Sequence, residues 1–541
     1  MAGRLGNGDG TLNHPRWLPW AWTAPAIFLT VFLAYPLVSL MGTVGSGGGA
    51  AALVSRLASG AVWQVAGLAT VQALTSTLLA LAIGLPIANV VSRYRFRGRA
   101  FTQALVTVPF VLPTVVVALA FRTLLGGGVP QGFALVVIAH AYVNLAVVAR
   151  IVGSQWAQHD PDFENVARTL GATRWRAFVD VTLPSLRPAI ASSAAVVFVF
   201  SFTSLGIILL LGDATTRTLE SQILRQTSVL LDFPGAAATA LVQLVIVTAV
   251  LLSGAAVARR SPTRRMRPVA LQPLPATPGA RLGVRATAAG ATAIVLAPVL
   301  ALVAGSLRVD GRWSLDWWSA AGSIDAGTTR IGSPLSALST SLGYALVTAL
   351  VAAVVGGLAA VAVVAPGRAR VVAVLAMIPL GVSSATLGLG TLLAFGRPPF
   401  DLRATGLLVP IAHALVAVPL VVAVVAPALR GTDARSVAVA SSLGAGPTRA
   451  FLTVYGPVLR VVMLASAGLA AAVSLGEFGA ASFLTRAGAP TVPVQIVRLL
   501  GRPGEQSYGV AAVLAVMLVA LTLTIVLLVD RLGTARPRRV A

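Results

Sequence analysis

Neither cysteine nor lysine occurs anywhere in the 541 residues, and only 10% of positions carry charge. Without cysteine there is no disulfide and no thiolate metal site. Without lysine no G-x-x-x-x-G-K-[ST] phosphate loop can be written. Histidine is nearly missing too: His14, His140, His159 and His413 are too scattered to suggest a metal cluster, so no metal site is expected. There are no paired acids and no nucleophile–base set, so no catalytic residue is nominated. Nor is any segment polar and long enough to fold as a nucleotide-binding domain.

What the chain has instead is apolar surface. Its hydrophobic fraction is 57% and its mean hydropathy +0.88. A soluble domain has no interior that could hide so much, and lipid is the natural solvent. Runs of about 20 apolar residues recur, each able to cross a hydrocarbon core as a helix. Alanine and leucine favour helices over barrel strands, and a helix satisfies its backbone internally. The expected fold is an all-α polytopic membrane protein with about twelve transmembrane helices in two parallel six-helix repeats.

The expected spans are Trp20–Val44, Val65–Val91, Phe101–Leu125, Phe133–Val152, Pro188–Leu211 and Gly235–Ala258, then Ala286–Leu307, Leu342–Val364, Val371–Phe395, Gly406–Leu429, Val461–Leu484 and Tyr508–Val529. The first run is too long for a signal-peptide core and reads as a span. The net charge of +24 would suggest nucleic acid in a soluble chain. Here the arginines sit between apolar runs with no aromatic interleaving, so no nucleic-acid partner is expected and the lipid bilayer is. With both termini cytoplasmic, about 28 of the 40 basic residues fall on inner segments, as the positive-inside rule asks. The densest groups are Arg93, Arg95, Arg97 and Arg99, then Arg259, Arg260, Arg264, Arg265 and Arg267, with Arg536, Arg538 and Arg539 in the tail.

Residues 1–258 form the first half, 259–285 a basic, proline-rich cytoplasmic linker, and 286–541 the second half. The halves repeat: IAHA at Ile138 returns at Ile411, LGA at Leu170 at Leu443, and TLESQILR at Thr218 aligns with TVPVQIVR at Thr491, always 273 residues on. SLG at Ser204 and Ser474 is offset by 270, which puts Glu477 opposite Ile207 and implies a small deletion nearby.

One polar stretch recurs in each half, at 160–188 and 430–460. Asp160-Pro161 can start a helix that stops at Gly171, and Thr173 can cap a second short helix through Thr182, before Pro184 breaks it. In the second copy Asp433 is the cap, Gly444 the stop, Pro447 a new start and Gly456-Pro457 the terminator. Each unit is helix, glycine corner, helix on the cytoplasmic face, resting on its own bundle or presented to a partner.

LGA, Phe178 seven residues after Gly171, and Thr182-Leu183-Pro184 resemble the EAA loop of ATP-binding-cassette importer permeases of the type I fold. The similarity extends over nearly the whole chain and is greatest to fused two-half permeases for thiamine and ferric iron; GDATTRTLESQILRQ and SLGEFGAASFL look more like the thiamine type. The resemblance implies coupling helices that dock a separate ATPase dimer, an extracytoplasmic substrate-binding protein, a bacterial inner-membrane location, and no cofactor on this chain, ATP and magnesium belonging to the partner. It carries coupling roles onto Glu164, Ala167, Gly171, Arg174, Phe178 and Pro184, and onto Ala440, Gly444, Arg449, Phe451 and Pro457. Glu164 stands one position early, and the second copy has no acid, so the two sites are expected to couple unequally.

Ionisable groups at membrane depth are costly and mark a cavity or an interhelical pair. Glu477 is assigned to the pathway, where a carboxylate suits a cationic substrate; His140, Asn144 and His413 are assigned either to structural hydrogen bonds or to its lining. The rival class is an ion-coupled secondary transporter of the major-facilitator kind, which needs no paired docking helices.

Overall fold

The computed structural model describes residues 15, 17–46, 49–58, 60–126, 130–259, 270–323, 334–362, 371, 375–396, 401–433 and 435–534. Arg4, Arg16, His14, most of the linker arginines and the three tail arginines lie outside the described residues.

In the first half α1 is Thr23–Thr43, α2 Ala61–Arg93, α3 Arg99–Val111, α4 Thr114–Leu125, α5 Phe133–Trp156, α6 Asp162–Thr169, α7 Arg174–Phe202, α8 Gly206–Leu211, α9 Leu219–Ser228 and α10 Phe233–Val257. In the second, α11 is Pro278–Ser306, α12 Pro334–Val361, α13 Ser384–Phe395, α14 Leu408–Arg430, α15 Arg435–Ser442, α16 Pro447–Gly476, α17 Gly479–Leu484, α18 Val492–Leu500 and α19 Glu505–Val529. The starts of α2, α6, α7, α8 and α9 recur 273 residues later in α12, α15, α16, α17 and α18.

Among the described residues ten helices are long and apolar enough to cross a membrane, and the pair α3–α4, bent by 108°, counts as an eleventh when taken as one span. The expected ninth span, Val371–Phe395, is not one long helix: a 3-10 turn at Ile378–Gly381 precedes the 12-residue α13, and 372–374 lie outside the described residues. Span five also differs. Its helix begins at Arg174 and runs through Pro184 and Pro188, because a π turn at Phe178–Thr182 lets Leu183 N–H reach Phe178 O and displaces the ring from the preceding carbonyls. Likewise Gly456-Pro457 does not end the second unit; α16 continues through Pro457 to Gly476.

Lipid supplies no hydrophobic drive between helices, so close packing of small side chains does that work. On α2 Ala80, Gly84 and Ala88 face α5, while Ala66, Ala69 and Ala73 pack with α7, α9 and α10; on α12 Ala352 and Gly356 face α14. Leu78 and Leu346, on the opposite faces, are about 70% exposed and meet lipid. The first helix of each half crosses to the other: α1 packs on α13, and α11 packs on α3 and α4. Tyr142 on α5 donates to Val295 O on α11 at 3.0 Å. The largest core cluster therefore draws on both halves, from Val115 and Ile207 to Val510 and Leu514.

Candidate functional site

Four chain breaks meet at the centre of the molecule. Leu112-Pro113 separates α3 from α4; the proline has no N–H, and Leu112 before it is driven into extended backbone (φ −69°, ψ 135°). Val382-Ser383, 270 residues on, is extended in the same way before α13. Thr203–Leu205 separates α7 from α8, and Glu477-Phe478 separates α16 from α17. All four border one cavity of about 280 Å³, to which Phe200 and Val473 add apolar walls.

These breaks correct two expectations. Spans five and eleven are interrupted, so Glu477 stands at a helix end instead of inside a helix. And since α8 and α17 start at Gly206 and Gly479, 273 apart, the structural partner of Glu477 is Ser204 and not Ile207. The 270 offset belongs instead to the α4–α13 pair, from Thr114 to Ser384, so the second half is three residues shorter between the start of α2 and α4 and regains them before His140.

Glycine is required at both helix starts. A Cβ on Gly206 would stand 2.6 Å from Thr114 Oγ1 and 3.1 Å from Val115 N; on Gly479 it would press on Ser384 Oγ and come 3.2 Å from Ala385 N.

His140 and Asn144 line the cavity, with exposures of only 1% each. Behind them Gln72 Nε2 lies 2.7 Å from His140 Nδ1 and 2.8 Å from Ser76 Oγ, while Asn144 Nδ2 donates to His140 O at 2.9 Å and to Ser201 Oγ at 3.2 Å. His413 is not among the lining residues. Its Nδ1 is 2.8 Å from Ser474 Oγ, which donates to Thr348 Oγ1. Glu477 does line the cavity, but its Oε1 accepts from Ala480 N–H at 3.1 Å, capping α17. Sequence reasoning missed Glu220. It is fully buried beside the cavity wall, accepting from Gln243 Nε2 at 2.9 Å and from the Ser383 hydroxyl. Its one signal was being the acid in TLESQILR where the repeat has Pro493.

The two polar units fold as hooks on the other side. Asp160 Oδ1 accepts from Asp162 N–H, and Asp433 Oδ1 from Arg435 N–H, so each acid opens its helix two residues early. Thr173 Oγ1 caps the next helix through Arg176 N–H. The corners turn at Gly171 (φ +91°) and Gly444 (φ +87°). Beside them Leu170 and Leu443 are each 83% exposed, with Val166 and Val439 at 56%. Gly171, Arg174, Gly444, Arg449 and Pro457 are exposed, with Ala167 and Ala440 partly covered. Phe178 and Phe451 turn inward instead: Phe178 stacks on Trp156 at 6.3 Å, and Phe451, 3% exposed, meets Trp17 edge-on at 5.3 Å. They anchor the hooks to the bundle, as does the half-buried Pro184 in α7.

Glu164 is held internally. Arg93 Nη1 and Nη2 donate to its two oxygens at 3.2 and 3.1 Å, and Thr182 Oγ1 also donates to it. His159 adds a contact to Ser185 Oγ at 3.1 Å. The second hook carries Val437, Thr432, Tyr455 and Val458 at these positions, so among the described residues only the first is latched by charge. Burial alone would raise the Glu164 carboxyl, but the hydrogen bonds from Arg93 and Thr182 and the guanidinium charge outweigh it and hold it below the usual glutamate range. Burial, the largest influence, also lowers His159 from 6.5, against the pull of Glu164 and Asp160. Both folded values are depressed, so both contributions are whole above the unfolded values and are lost as pH falls. Proteolysis at the first corner should therefore accelerate as pH drops below 6.5, and further in the glutamate range, while the second corner stays unchanged. Arg93→Ala should open the first hook even at neutral pH, at a cost of about 1–3 kcal/mol for this mostly buried pair; equal cleavage at both corners would refute the latch.

The fold and these features carry a family. Residues 80–261 match the model of the binding-protein-dependent transport system inner membrane component, and the chain belongs to that family. It is 32% identical over 257 residues to the molybdenum transport system permease protein ModB of Mycobacterium tuberculosis, covering 44% of this chain and 93% of that one. Over 138 residues it is 34% identical to the molybdate/tungstate permease WtpB of Thermococcus kodakarensis, and over 182 residues 31% identical to the sulfate permease CysT of Escherichia coli. The matches cover 26% and 31% of this chain, and 56% and 66% of those relatives. A bacterial alginate ABC transporter solved with a pentasaccharide-bound periplasmic protein aligns at 22% identity and a TM-score of 0.37, over 45% of this chain and 94% of that one.

Proposed function

We propose that this chain is the permease of an ATP-driven importer, carrying a small oxyanion through the central cavity while a separate ATPase dimer grips its two hooks. The observation that supports this most is the pair of bare leucines, Leu170 and Leu443, at the same place in each half and equally exposed beside a glycine corner. A solvated apolar tip has no use by itself, and two related tips suit a two-fold partner. A major-facilitator transporter has no role for them. The chain has no phosphate loop, so the nucleotide and its magnesium belong to the partner. Closure of that dimer would draw the hooks together and rock the halves about the broken helices, so that the cavity faces outward to an external binding protein and then inward. Both termini then lie on the cytoplasmic side with the arginine-rich segments.

For the cargo, the thiamine-type resemblance rests on short sequence blocks, and Glu477 is a separate argument for a cation. Glu477 spends an oxygen on capping α17. The curated relatives are named for molybdate, tungstate and sulfate. A small oxyanion is therefore the better-supported cargo. Proteoliposomes holding this chain, its ATPase and its binding protein should take up labelled molybdate, with tungstate or sulfate competing and thiamine and ferric citrate without effect. Uptake of thiamine or ferric iron in place of molybdate would overturn the cargo assignment.

A further inference from the structure

The near-symmetry of the cavity contains its own comparison. In the second half, α13 and α17 begin side by side, and their starts are supplied with acceptors. Ser383 Oγ caps α13 through Thr386 N–H at 3.1 Å. The Glu477 carboxylate accepts from Ala480 N–H, and from Gly479 N–H and the Ser384 hydroxyl as well. A carboxylate thus sits where the backbone of the α17 start and a hydroxyl of the α13 start converge.

In the first half the same backbone arrangement is present and the carboxylate is not. Pro113 replaces Ser383 and gives α4 no side-chain cap. Ser204 replaces Glu477, and Thr114 replaces Ser384. Ser204 is 6% exposed and its hydroxyl has no partner. His140, from α5, presents an unpartnered Nε2 to the same cavity, and Asn144 an unpartnered Oδ1. With the Gln72 amide nitrogen at His140 Nδ1, Nδ1 accepts and Nε2 carries the ring proton. Buried polar atoms without partners are rare and costly, and here three of them border one space beside the uncapped start of a 12-residue helix.

We propose that this first-half pocket is an oxyanion subsite of the pathway, in which a transported tetrahedral oxyanion takes the place that the Glu477 carboxylate fills in the other half. His140 Nε2–H and the Ser204 and Thr114 hydroxyls donate to it, and the uncapped start of α4, whose second-half counterpart is capped by Ser383, adjoins it. Asn144 Oδ1 accepts from a protonated oxygen of the ion or from a water it keeps. The helix start supplies partial positive charge without a fixed cation, so the ion is held and can still leave. The subsite rests on the oxyanion reading of the cargo.

The symmetry also supplies the test. Ser204→Glu would place in the first half the carboxylate that the second half already accommodates. The full chain in lipid nanodiscs should bind labelled molybdate saturably, and Ser204→Glu should weaken that binding at least tenfold with the melting temperature unchanged. His140→Ala and Thr114→Val, which add no charge, should each weaken it severalfold, and they keep the test valid if Ser204→Glu fails to fold. Wild-type affinity in Ser204→Glu, or in both of the other variants, would overturn the subsite. Uptake by the complete transporter separates the two levels. Undiminished ATP-driven molybdate uptake by Ser204→Glu would remove the subsite and leave the importer standing. Uptake of thiamine in place of molybdate by the wild type would remove the cargo reading and this site with it.

Discussion

Charging both bare corners should disconnect the chain from its motor: Leu170→Asp with Leu443→Asp is expected to abolish ATP-driven uptake and to weaken ATPase docking by roughly 10²–10⁴. A leucine fully buried in a partner's groove contributes about 1.5–3 kcal/mol, so two contribute about 3–6 kcal/mol, and each 1.4 kcal/mol is about tenfold in affinity. Burying the new carboxylates only adds to the loss. The chain itself should be indifferent, since each leucine is 83% exposed and packs into no core. The measurements are co-purification of the ATPase, uptake, and the melting temperature of the permease. Each single variant should show about half of that loss, about 1.5–3 kcal/mol. The first hook is latched to Arg93 and the second is not, so the two singles should differ in how far ATP hydrolysis still drives transport. Retained docking in the double variant would place the ATPase contact elsewhere.

The second large effect lies at the cavity. Gly206→Val with Gly479→Val should dismantle it, because a Cβ at either position meets the start of the neighbouring helix. Thr114 and Ser384 can rotate their hydroxyls aside, but Val115 N at 3.1 Å and Ala385 N at 3.2 Å are backbone and must move as whole helices. Overpacking of this kind costs about 1–3 kcal/mol per site, and here the displaced elements line the pathway. Expected results are a lower melting temperature and no uptake, with ATPase docking retained because the hooks are remote from the cavity. Gly206→Ala, which adds the Cβ alone, should show a smaller loss in the same direction.

Much of this architecture was legible in the sequence. Hydrophobic length located the long helices, and the 273-residue repeat paired the halves, because a duplicated unit keeps its spacing even where its residues drift. Gly171 and Gly444 were legible as corners for a local reason: glycine tolerates the positive φ that ends a helix. Proline was the weaker guide. Pro184 and Pro457 lie within continuous helices, the first tolerated by a π turn that only the surrounding packing specifies. Pro113, by contrast, stands at a 108° break. The cavity was half legible. Glu477, His140 and Asn144 were singled out as costly groups in apolar runs, but polarity alone could not separate His140, which faces the cavity, from His413, which turns to Ser474. Ser204 and Glu220 were passed over because their meaning is relational. One stands opposite a carboxylate, and the other is buried against a residue of the other half. The Arg93–Glu164 latch spans 71 residues, a distance no local spacing rule covers.

The most direct measurement of the account is solute accumulation by the purified chain in sealed proteoliposomes, with and without its ATPase. Uptake should require the ATPase, ATP and both intact corners, and the chain alone should accumulate nothing under a proton or sodium gradient. Accumulation by the chain alone, driven by such a gradient, would contradict it.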